Sequence, residues 1–479
     1  MSHPARSLVR GLGLMAATSI VIADVVGTGV FLKARVMTCN VETPAMVIAV
    51  WVVAGLLSLA GALTYAELAA MMPRAGGEYV FVREAYGRVW AFLFGWMRFF
   101  IGNTGGSAAL AAGLGIFLNV LAGGALAGHV YTQDLFGAQA SVNGVQMVAI
   151  GALAVVTVIN CAAVSVGGQI ASVLAALKVL LIVGLGAAAL LFGSGDWTLF
   201  ATSGAGGTCE GVSAAARGGV AGFGAAMMAA LWAYNGWNEM TYVAGEVRDP
   251  QRNLPLALIG GIAIVGALYV FVNAAYFYVL APEAVASVAL SSSVATETLA
   301  RFLGPAAVKV MAAALVMSIF SALQVASLVC ARVPYAMAND RLFFPSLGVV
   351  SPRTRVPIRA LVAQSAWSSV LVLSGSFDAL TDYAMFSILL FSALITSAIF
   401  IFRRRMPDVE RPYRAWGYPI TPVVFLVVVG GLLVNTLMTS PVQAFTGLGL
   451  IVAGLPFYWY WSRARAAGAT DTKEAESAW

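Results

Sequence analysis

The sequence predicts an all-α polytopic membrane protein with twelve transmembrane helices. Of its 479 residues, 60% are hydrophobic and only 10% are charged, whereas a soluble domain carries about 25% charged residues. The mean hydropathy is +0.88, and the 50 glycines suit helices that pack closely in a bilayer. The lipid bilayer is therefore the first partner that the sequence implies.

Twelve apolar runs are each long enough to cross the hydrocarbon, which takes about 20 helical residues. They cover residues 11–32, 44–72, 89–121, 144–164, 168–193, 218–245, 254–281, 305–336, 357–375, 381–402, 419–437 and 441–462. The even number predicts that both termini lie on one side of the membrane. The first run has no small-residue cleavage site, so we expect a membrane helix there and not a removable signal peptide.

The positive charges predict the orientation of these helices. Twenty of the 27 Lys and Arg residues fall on the side of the termini and five on the opposite side, while Arg98 and Lys178 lie within runs. By the positive-inside rule both termini are cytoplasmic, and the protein lies in the plasma (inner) membrane. The net charge of +6 is spread over short loops without a basic, aromatic-rich block, so no nucleic-acid partner is expected.

Cysteines and histidines are few and scattered. The four cysteines are Cys39, Cys161, Cys209 and Cys330. None has the spacing of a metal site, so neither a metal nor another cofactor is expected. Cys39 and Cys209 fall in predicted outer loops, where they are able to pair, and the other two are expected to be packing residues. Both histidines, His3 and His129, lie outside the runs, so a catalytic cluster and an enzyme function are not expected.

The first run contains a Gly-x-Gly sequence in mid-membrane, at Gly27, Thr28 and Gly29. Two glycines weaken the helix there and free backbone groups that lipid cannot satisfy, so a protein-lined cavity must satisfy them. Freed N–H groups at the start of a half-helix favour an anionic ligand such as a carboxylate. The alternative is a notch of small residues used only for packing.

The sixth run carries a dense aromatic and polar insert, WAYNGWN, from Trp232 to Asn238. The adjacent Asn235 and Gly236 disfavour a continuous helix, so we expect a break at Tyr234–Asn235–Gly236. An interfacial aromatic belt is the alternative, but the insert lies near the middle of the run. Interrupted helices one and six, five runs apart, are typical of an inverted-repeat transporter with a midplane substrate site.

Several segments resemble the amino acid–polyamine–organocation (APC) superfamily, in particular its L-type amino acid transporter branch. They are GTGVF at 27–31, GALTYAELAAMMPRAGGEYVFVREAYG at 61–87, INCAAVSVGGQIASVLAALKVL at 159–180, WAYNGWNEMTYVAGEVRDPQRNLPLAL at 232–258 and RPYRAWGYPITP at 411–422. The similarity runs over nearly the whole chain. It implies an inverted five-plus-five helix repeat (about 11–193 and 218–402) with extra helices at about 419–462. A transporter domain over 1–462 would precede a short, disordered cytoplasmic tail at 463–479.

The same resemblance implies how a substrate binds. Thr28 and Gly29 would donate backbone N–H groups to the α-carboxylate of an amino acid, and Gly27 would give it room. Four backbone carbonyls would accept from the substrate ammonium: those of Val25, Trp232, Ala233 and Asn235. This polarity agrees with helix-end electrostatics, in which helix N-termini attract anions and C-terminal carbonyls attract cations.

Aromatic residues around the second break are expected to form the gate and pocket. They are Trp232, Tyr234 and Trp237. Two positions depart from the family pattern, which usually has Phe in place of Trp232 and often Gly in place of Asn235. A larger gate and an added amide would narrow or polarise the pocket, so the substrate specificity is not carried over.

Two ionisable residues within runs are candidates for coupling, because a charge in a membrane helix is costly. Lys178 matches a family lysine that stands where sodium-coupled relatives bind an ion. Its ammonium would bridge the first and the eighth of the twelve runs, or exchange a proton. The alternative is a snorkelling lysine. Asp24, one turn before Gly27, departs from the family pattern. It would pair with Lys178, neutralise a substrate ammonium, carry a proton or cap the helix.

Other charges are expected to have mainly structural roles. Glu67 and Glu246 end runs beside arginine-bearing loops, which favours loop-anchoring ion pairs, although a cytoplasmic gate is the alternative. Glu239 follows the second break and is placed to face an inner vestibule. Arg98 is expected to snorkel toward the inner interface, without a functional role.

These features together predict sodium-independent transport of an amino acid, most simply a neutral one, by an exchanger or a proton symporter. A polyamine or organocation transporter and a non-transporting nutrient sensor of the same fold are alternatives. Eukaryotic members of the branch join a heavy subunit through a cysteine between spans three and four. No cysteine lies in that loop here, so no disulfide-linked heavy subunit is expected.

Overall fold

The computed structural model describes residues 8–135, 138–202, 204, 206–289, 292–374, 377–439 and 441–463. The tail predicted to be disordered lies, except for residue 463, outside these ranges. The first eight α-helices are α1 (Leu14–Val25), α2 (Gly29–Val41), α3 (Pro44–Met71), α4 (Glu78–Tyr86), α5 (Arg88–Met97), α6 (Asn103–Leu121), α7 (Gly144–Asn160) and α8 (Val164–Phe192). A π-helical turn, Arg98–Gly102, joins α5 to α6.

The helices continue with α9 (Gly219–Tyr234), α10 (Pro250–Val279), α11 (Pro282–Ala286), α12 (Val294–Leu303), α13 (Ala306–Cys330), α14 (Arg332–Asn339), α15 (Ile358–Ser374), α16 (Phe377–Arg405), α17 (Ile420–Thr439) and α18 (Pro441–Val452). Short 3₁₀ segments cover Trp197–Ala201, Ala214–Ala216, Trp237–Glu246 and Pro345–Gly348. One antiparallel hairpin pairs β1 (His129–Leu135) with β2 (Ala138–Asn143).

The predicted all-α polytopic architecture is confirmed in outline. Within the described ranges, seven helical units are long and apolar enough to cross a membrane, and the bent pair α1–α2 makes an eighth. Each of the twelve predicted runs contains a helix or a helix pair. The count of twelve crossings and the inverted repeat stay predictions, because some of these helices are shorter than a full span.

Two local elements differ from the sequence prediction. The helix after the first break continues to Val41, so Lys33, Arg35 and Cys39 lie on a helix and not in a loop. The prediction ended this element at 32 because an apolar run marks the hydrocarbon, whereas a helix extends until its backbone is capped. Here Glu42 adopts a left-handed conformation (φ 66°) that ends it. The β-hairpin after α6 was also not predicted.

Helix α1 lies at the centre of the bundle. It packs against α8, α10, α13 and the 3₁₀ segment Trp237–Glu246, while α2 packs against α9. The interrupted helix one therefore contacts interrupted helix six along both of its halves. Seven of the twelve residues of α1 are buried, including all of those from Ser19 to Ala23, so the half of the helix that leads to the break packs against protein.

A disulfide joins the C-terminal end of α2 to the loop between α8 and α9, because Cys39 and Cys209 are bonded with their Cα atoms 5.7 Å apart. The pairing that the sequence left open is thus present. Around it, the Arg35 side chain donates to the Glu210 carbonyl at 2.8 Å and the Asn40 amide donates to the Ala216 carbonyl at 2.6 Å. The loop before helix six is therefore fastened to helix one.

We expect the double substitution Cys39→Ser/Cys209→Ser to lower the free energy of unfolding by about 2–4 kcal/mol, because the bond closes a long loop. Thermal unfolding of the detergent-solubilised protein measures the change. Cys161→Ser is the control, since that thiol is free and only partly buried. Equal melting temperatures for the double variant and the wild type would show that the loop is held by its hydrogen bonds alone.

A buried ion pair closes the opposite end of the bundle. Arg332 donates to both carboxylate oxygens of Glu246, at 2.7 and 3.0 Å, and both side chains are fully buried. Next to it, Leu12 pairs with the backbone around Val247, with a 3.0 Å bond from the Leu12 N–H to the Glu246 carbonyl. The predicted structural role of Glu246 is confirmed. Its partner, Arg332, is the first residue of α14.

We expect Arg332→Ala to destabilise the protein by about 3–5 kcal/mol, because the Glu246 carboxylate stays buried without its counter-charge. A shift in the denaturant or detergent midpoint of unfolding measures this. Arg359→Ala, at an exposed position of α15, is the matched control and should change stability little. If both variants unfolded at the same midpoint, the pair would be dispensable for folding.

Candidate functional site

The first helix break lies where the sequence predicts it. Helix α1 ends at Val25, α2 begins at Gly29, and the two halves meet at an angle of 44°. Between them the Gly27 N–H bonds to the Val25 carbonyl at 2.9 Å, so the backbone makes a tight turn. The first N–H groups of α2 have no partner within the helix, as at any helix N-terminus. The sequence prediction assigns the substrate carboxylate to this end of the helix.

The second break also coincides with its prediction. Helix α9 ends at Tyr234, Asn235 is extended, and Gly236 has a φ of +114°, which only glycine adopts without strain. The chain continues as a 3₁₀ segment from Trp237 to Glu246, whereas the sequence suggested a second α-helical half. A 3₁₀ segment rises more per residue than an α-helix, so ten residues carry the chain to the end of the bundle at which Glu246 meets Leu12.

The two breaks touch each other. A Cβ atom on Gly29 would lie 2.5 Å from Cβ and 2.8 Å from Cα of Ala233, so only glycine allows this approach. The Trp232 ring covers Gly29, with one ring atom 3.5 Å from that Cβ position. Lys33 places its ammonium 4.6 Å from the Trp232 ring centroid. Trp232 thus packs on the first turns of α2, beside the first break.

Tyr269 of α10 joins both breaks and was not among the predicted site residues. Its hydroxyl lies 3.1 Å from the Val25 carbonyl and 2.9 Å from the Ala233 carbonyl. These are two of the carbonyls that the family resemblance assigns to the substrate ammonium. Each carbonyl has a second lone pair, so it still has room for another donor. A tyrosine in an apolar run carries no local signal, which is why the sequence did not reveal it.

Lys178 satisfies the carbonyls at the end of α1. Its ammonium donates to the Ala23 carbonyl at 2.6 Å and to the Val26 carbonyl. From α13, the Ser318 hydroxyl lies 3.3 Å from the Val26 carbonyl and 3.1 Å from the Gly27 carbonyl. Lys178 is fully buried, so the snorkelling alternative is wrong. The ammonium holds the broken end of helix one against α8, with Ser318 of α13 beside it.

The remaining predicted aromatic and amide residues lie on the side of helix six that faces α3, α16 and α17. Tyr234 is buried and donates its hydroxyl to the Trp51 carbonyl at 3.1 Å. Asn235, Trp237 and Asn238 line a small cavity between α3, α9, α16 and α17. Asn235 thus lies both at the second break and at the edge of this cavity.

Arg98 is the largest departure from expectation. It is only 2% exposed and pairs with Glu78 at 3.0 Å and with Glu239 at 3.2 Å, so the prediction that it snorkels is wrong. Glu239 also accepts a hydrogen bond from the Cys330 thiol at 2.9 Å, which gives that cysteine more than a packing role. Glu78, which accepts from Tyr242 at 2.5 Å, was not singled out from the sequence. A buried arginine with two acidic partners is stable where an unpaired one would not be.

Asp24 lies against the second break. A Cβ on Gly236 would be 3.2 Å from the Asp24 carboxylate carbon, and Oδ2 of Asp24 is buried without a hydrogen bond in the described part of the chain. The charged groups that act on it are Glu239, Lys178 and Arg98. No ion pair within 4 Å joins Asp24 to Lys178 among the described residues. The carboxylate is therefore placed between the two breaks and not on the lysine.

The comparison with known proteins agrees with this geometry. The family model described as "Amino acid permease" matches residues 12–460. The chain belongs to the amino acid permease family. It is 30% identical to the serine/threonine exchanger SteT of Bacillus subtilis (strain 168) over 465 residues, which is 96% of this chain and 98% of that protein. The APC resemblance is thereby confirmed, and this permease is a transporter and not an enzyme.

Two human relatives extend the comparison. The permease is 27% identical to the b(0,+)-type amino acid transporter 1 over 460 residues, covering 94% of this chain and 88% of the relative. It is 26% identical to the large neutral amino acids transporter small subunit 2 over 462 residues, covering 95% and 81%. The similarity therefore extends over nearly the full permease, including both helix breaks. These matches support amino acid transport as the function.

Proposed function

We propose that this permease carries neutral amino acids across the cell membrane without sodium, by alternating access at the two helix breaks. The observation that carries the proposal is Lys178, whose ammonium already holds the carbonyls at the end of α1. A permanent cation at that place satisfies the groups that a bound metal cation would otherwise have to satisfy. Transport then needs no sodium ion to complete helix one.

Substrate polarity follows from the two ends that meet at the site. The N-terminus of α2 at Gly29 offers N–H groups to a carboxylate. The carbonyls of Val25 and Ala233, which accept from the Tyr269 hydroxyl, would also accept from a substrate ammonium. Both features select the zwitterionic part that every amino acid shares. The Trp232 ring above Gly29 separates this site from the outer end of α2 and forms the gate.

The orientation has two supports. The Lys and Arg distribution supports a cytoplasmic position for both termini. The disulfide between Cys39 and Cys209 lies at the end of the bundle opposite Leu12, and disulfides persist in oxidising compartments outside the cytosol. The outer end of α2 and the loop before α9 would then face the outside of the cell.

A polyamine or other organocation is the second candidate substrate, and Asp24 is the observation that favours it. Its carboxylate lies between the breaks with one oxygen lacking a hydrogen bond in the described part of the chain. A substrate with two ammonium groups and no carboxylate would use Asp24 but leave the N–H groups of α2 unmatched. An amino acid would use both the N–H groups of α2, with its carboxylate, and the carbonyls at the breaks, with its ammonium.

Uptake into proteoliposomes tests the proposal. Purified protein is reconstituted, and radiolabelled neutral, acidic and basic L-amino acids and putrescine are offered with sodium replaced by choline. We expect neutral amino acids to enter in choline medium and to enter faster when vesicles contain the unlabelled amino acid. Protein-free vesicles and D-amino acids are the controls. Strict sodium dependence, or uptake of putrescine alone, would contradict the proposal.

A further inference from the structure

Lys33 meets the Trp232 ring beside the contact between helices one and six. Lys33 and Gly29 both belong to α2 and are one helical turn apart, so they lie on the same face of that helix. The Trp232 ring covers Gly29, and the Lys33 ammonium lies 4.6 Å from the ring centroid. The ring therefore contacts both the first break and a cation one turn further along α2.

Two arginines at this end of the bundle have structural partners in the loop between α8 and α9. Arg35 donates to the Glu210 carbonyl at 2.8 Å, and Arg217 donates to the Val212 carbonyl at 2.7 Å. Both guanidinium groups therefore hold loop backbone in place. Lys33 differs from them, because its ammonium lies over an aromatic ring that borders the candidate site. Its charge is thus placed to act on that ring.

The two helices that make this contact are fastened to each other. The disulfide between Cys39 and Cys209 ties α2 to the loop before α9, and the Gly218 N–H donates to the Asn40 carbonyl at 2.8 Å. A Cβ atom on Gly222 of α9 would lie 2.2 Å from that same carbonyl oxygen, so the two helices are in close contact there. Separation of α2 from α9 is therefore a costly way to uncover the site between them.

Rotation of the Trp232 side chain is the other way to open the site toward the end of the bundle that carries the disulfide. The ring is partly exposed, and a side chain moves between staggered conformations about its Cα–Cβ bond. Such a rotation takes the ring away from the Lys33 ammonium. A cation over a tryptophan face at a partly exposed place changes a population by about two- to fivefold. Lys33 therefore favours the closed position of the ring.

We propose that Lys33 is a positioning residue for transport. Its ammonium holds the Trp232 ring over the first break and so sets how often the site opens toward the outside. This inference rests on the proposed substrate site between the two breaks and on the proposed orientation. Lys33 touches no substrate in this mechanism and acts only through the ring. Loss of its charge increases the open population, so a reagent that enters from outside reaches the first break more often.

Cysteine labelling in right-side-out membrane vesicles tests the proposal. Thr28→Cys places a thiol at a partly exposed position of the first break, and a membrane-impermeant methanethiosulfonate reagent is added outside without substrate. We expect Lys33→Met to increase the labelling rate about two- to fivefold, because methionine fills similar space without the charge. Lys33→Arg keeps a cation and should label like Thr28→Cys alone. Lys309→Met, at an exposed position of α13, is the matched control.

Two controls separate this role from a structural or a purely electrostatic one. The labelling is repeated with an anionic and a cationic reagent, because loss of a local positive charge alone would slow the first and speed the second. Lys33→Met should speed both. In Trp232→Leu the ring is absent, so adding Lys33→Met should leave the labelling rate of that protein unchanged. An increase for the cationic reagent alone, equal increases with and without the ring, or no increase would overturn the proposal.

Uptake of radiolabelled neutral L-amino acids by the same vesicles separates this inference from the proposed function. Uptake by the wild type, together with labelling rates that do not depend on Lys33, leaves amino acid transport standing and overturns the role of Lys33. Labelling that responds to Lys33 as expected, without uptake of any amino acid, supports control of the ring by Lys33 and contradicts transport.

Acetylation covers the case in which Lys33→Met does not fold. The lysines of the chain are Lys33, Lys178, Lys309 and Lys473, and Lys178 is fully buried. An impermeant acetylating ester is applied outside to Thr28→Cys that also carries Lys309→Arg, and mass spectrometry measures the acetylated fraction of Lys33. We expect the labelling rate to rise with that fraction, by about two- to fivefold at completion. A rate that stays constant after complete acetylation of Lys33 would overturn the proposal.

Discussion

Substitution of Lys178 by alanine should abolish most of the transport. The ammonium donates to the carbonyls of Ala23 and Val26 at the end of α1, and the side chain is fully buried. Its removal leaves buried acceptors without a donor at a cost of about 1–3 kcal/mol, which corresponds to about 5–150-fold in an equilibrium or rate. We therefore expect the initial rate of amino acid uptake to decrease by about 5–150-fold.

The matched control is Lys309→Ala, which removes a lysine from an exposed position at the N-terminal end of α13 and should transport normally. Monodispersity on gel filtration shows whether each variant is folded. The role of Lys178 as a fixed cation also predicts that added sodium does not stimulate the wild type. A Lys178→Ala variant with wild-type uptake in sodium-free medium would contradict that role.

Gly29→Ala should have an effect of similar size for a steric reason. The new methyl group would lie 2.5 Å from the Ala233 Cβ and 2.8 Å from its Cα, and neither atom is the end of a flexible side chain. The contact separates helices one and six at the level where they form the site. Overpacking of this kind costs about 1–3 kcal/mol, so we expect uptake to fall by about tenfold or more.

Gly106→Ala is the control for this substitution, because a Cβ at Gly106 on α6 meets no atom within 4 Å. Both variants add one methyl group to a helix in the membrane, and only Gly29→Ala adds it between the breaks. Initial uptake rates at equal amounts of reconstituted protein compare them. Equal rates for the two variants would show that the close approach of Gly29 to Ala233 is not needed for transport.

Much of the fold was predictable because the bilayer imposes strong rules on composition. Apolar runs located the helices, and both breaks were found from glycine and asparagine in mid-run, where these residues oppose a helix. Lys178 was also noticeable, since a central lysine in an apolar run needs a partner, but its carbonyl partners on α1 were not predicted. In each case the signal is local in the chain, so a single sequence reveals it.

The parts that were missed depend on contacts between distant segments. Arg98 was expected to snorkel, but its partners Glu78 and Glu239 lie 20 and 141 residues away, so nothing near Arg98 announces them. Tyr269 is 36 residues from Ala233 and 244 from Val25, and its hydroxyl is one of several in apolar runs. Only the packing of α10 on α1 shows which hydroxyl reaches the breaks.

Labelling of Thr28→Cys tests most directly whether the substrate binds at the two breaks. The substitution keeps the backbone N–H and nearly the size of the side chain at a partly exposed position. A small methanethiosulfonate reagent is applied to reconstituted protein with and without saturating L-threonine, beside the wild type and Thr202→Cys, which lies in the exposed outer loop. We expect the reagent to block uptake only in Thr28→Cys and the amino acid to slow this block. Uptake that survives full modification of Thr28→Cys, or a block that the amino acid does not slow, would contradict a substrate site between helices one and six.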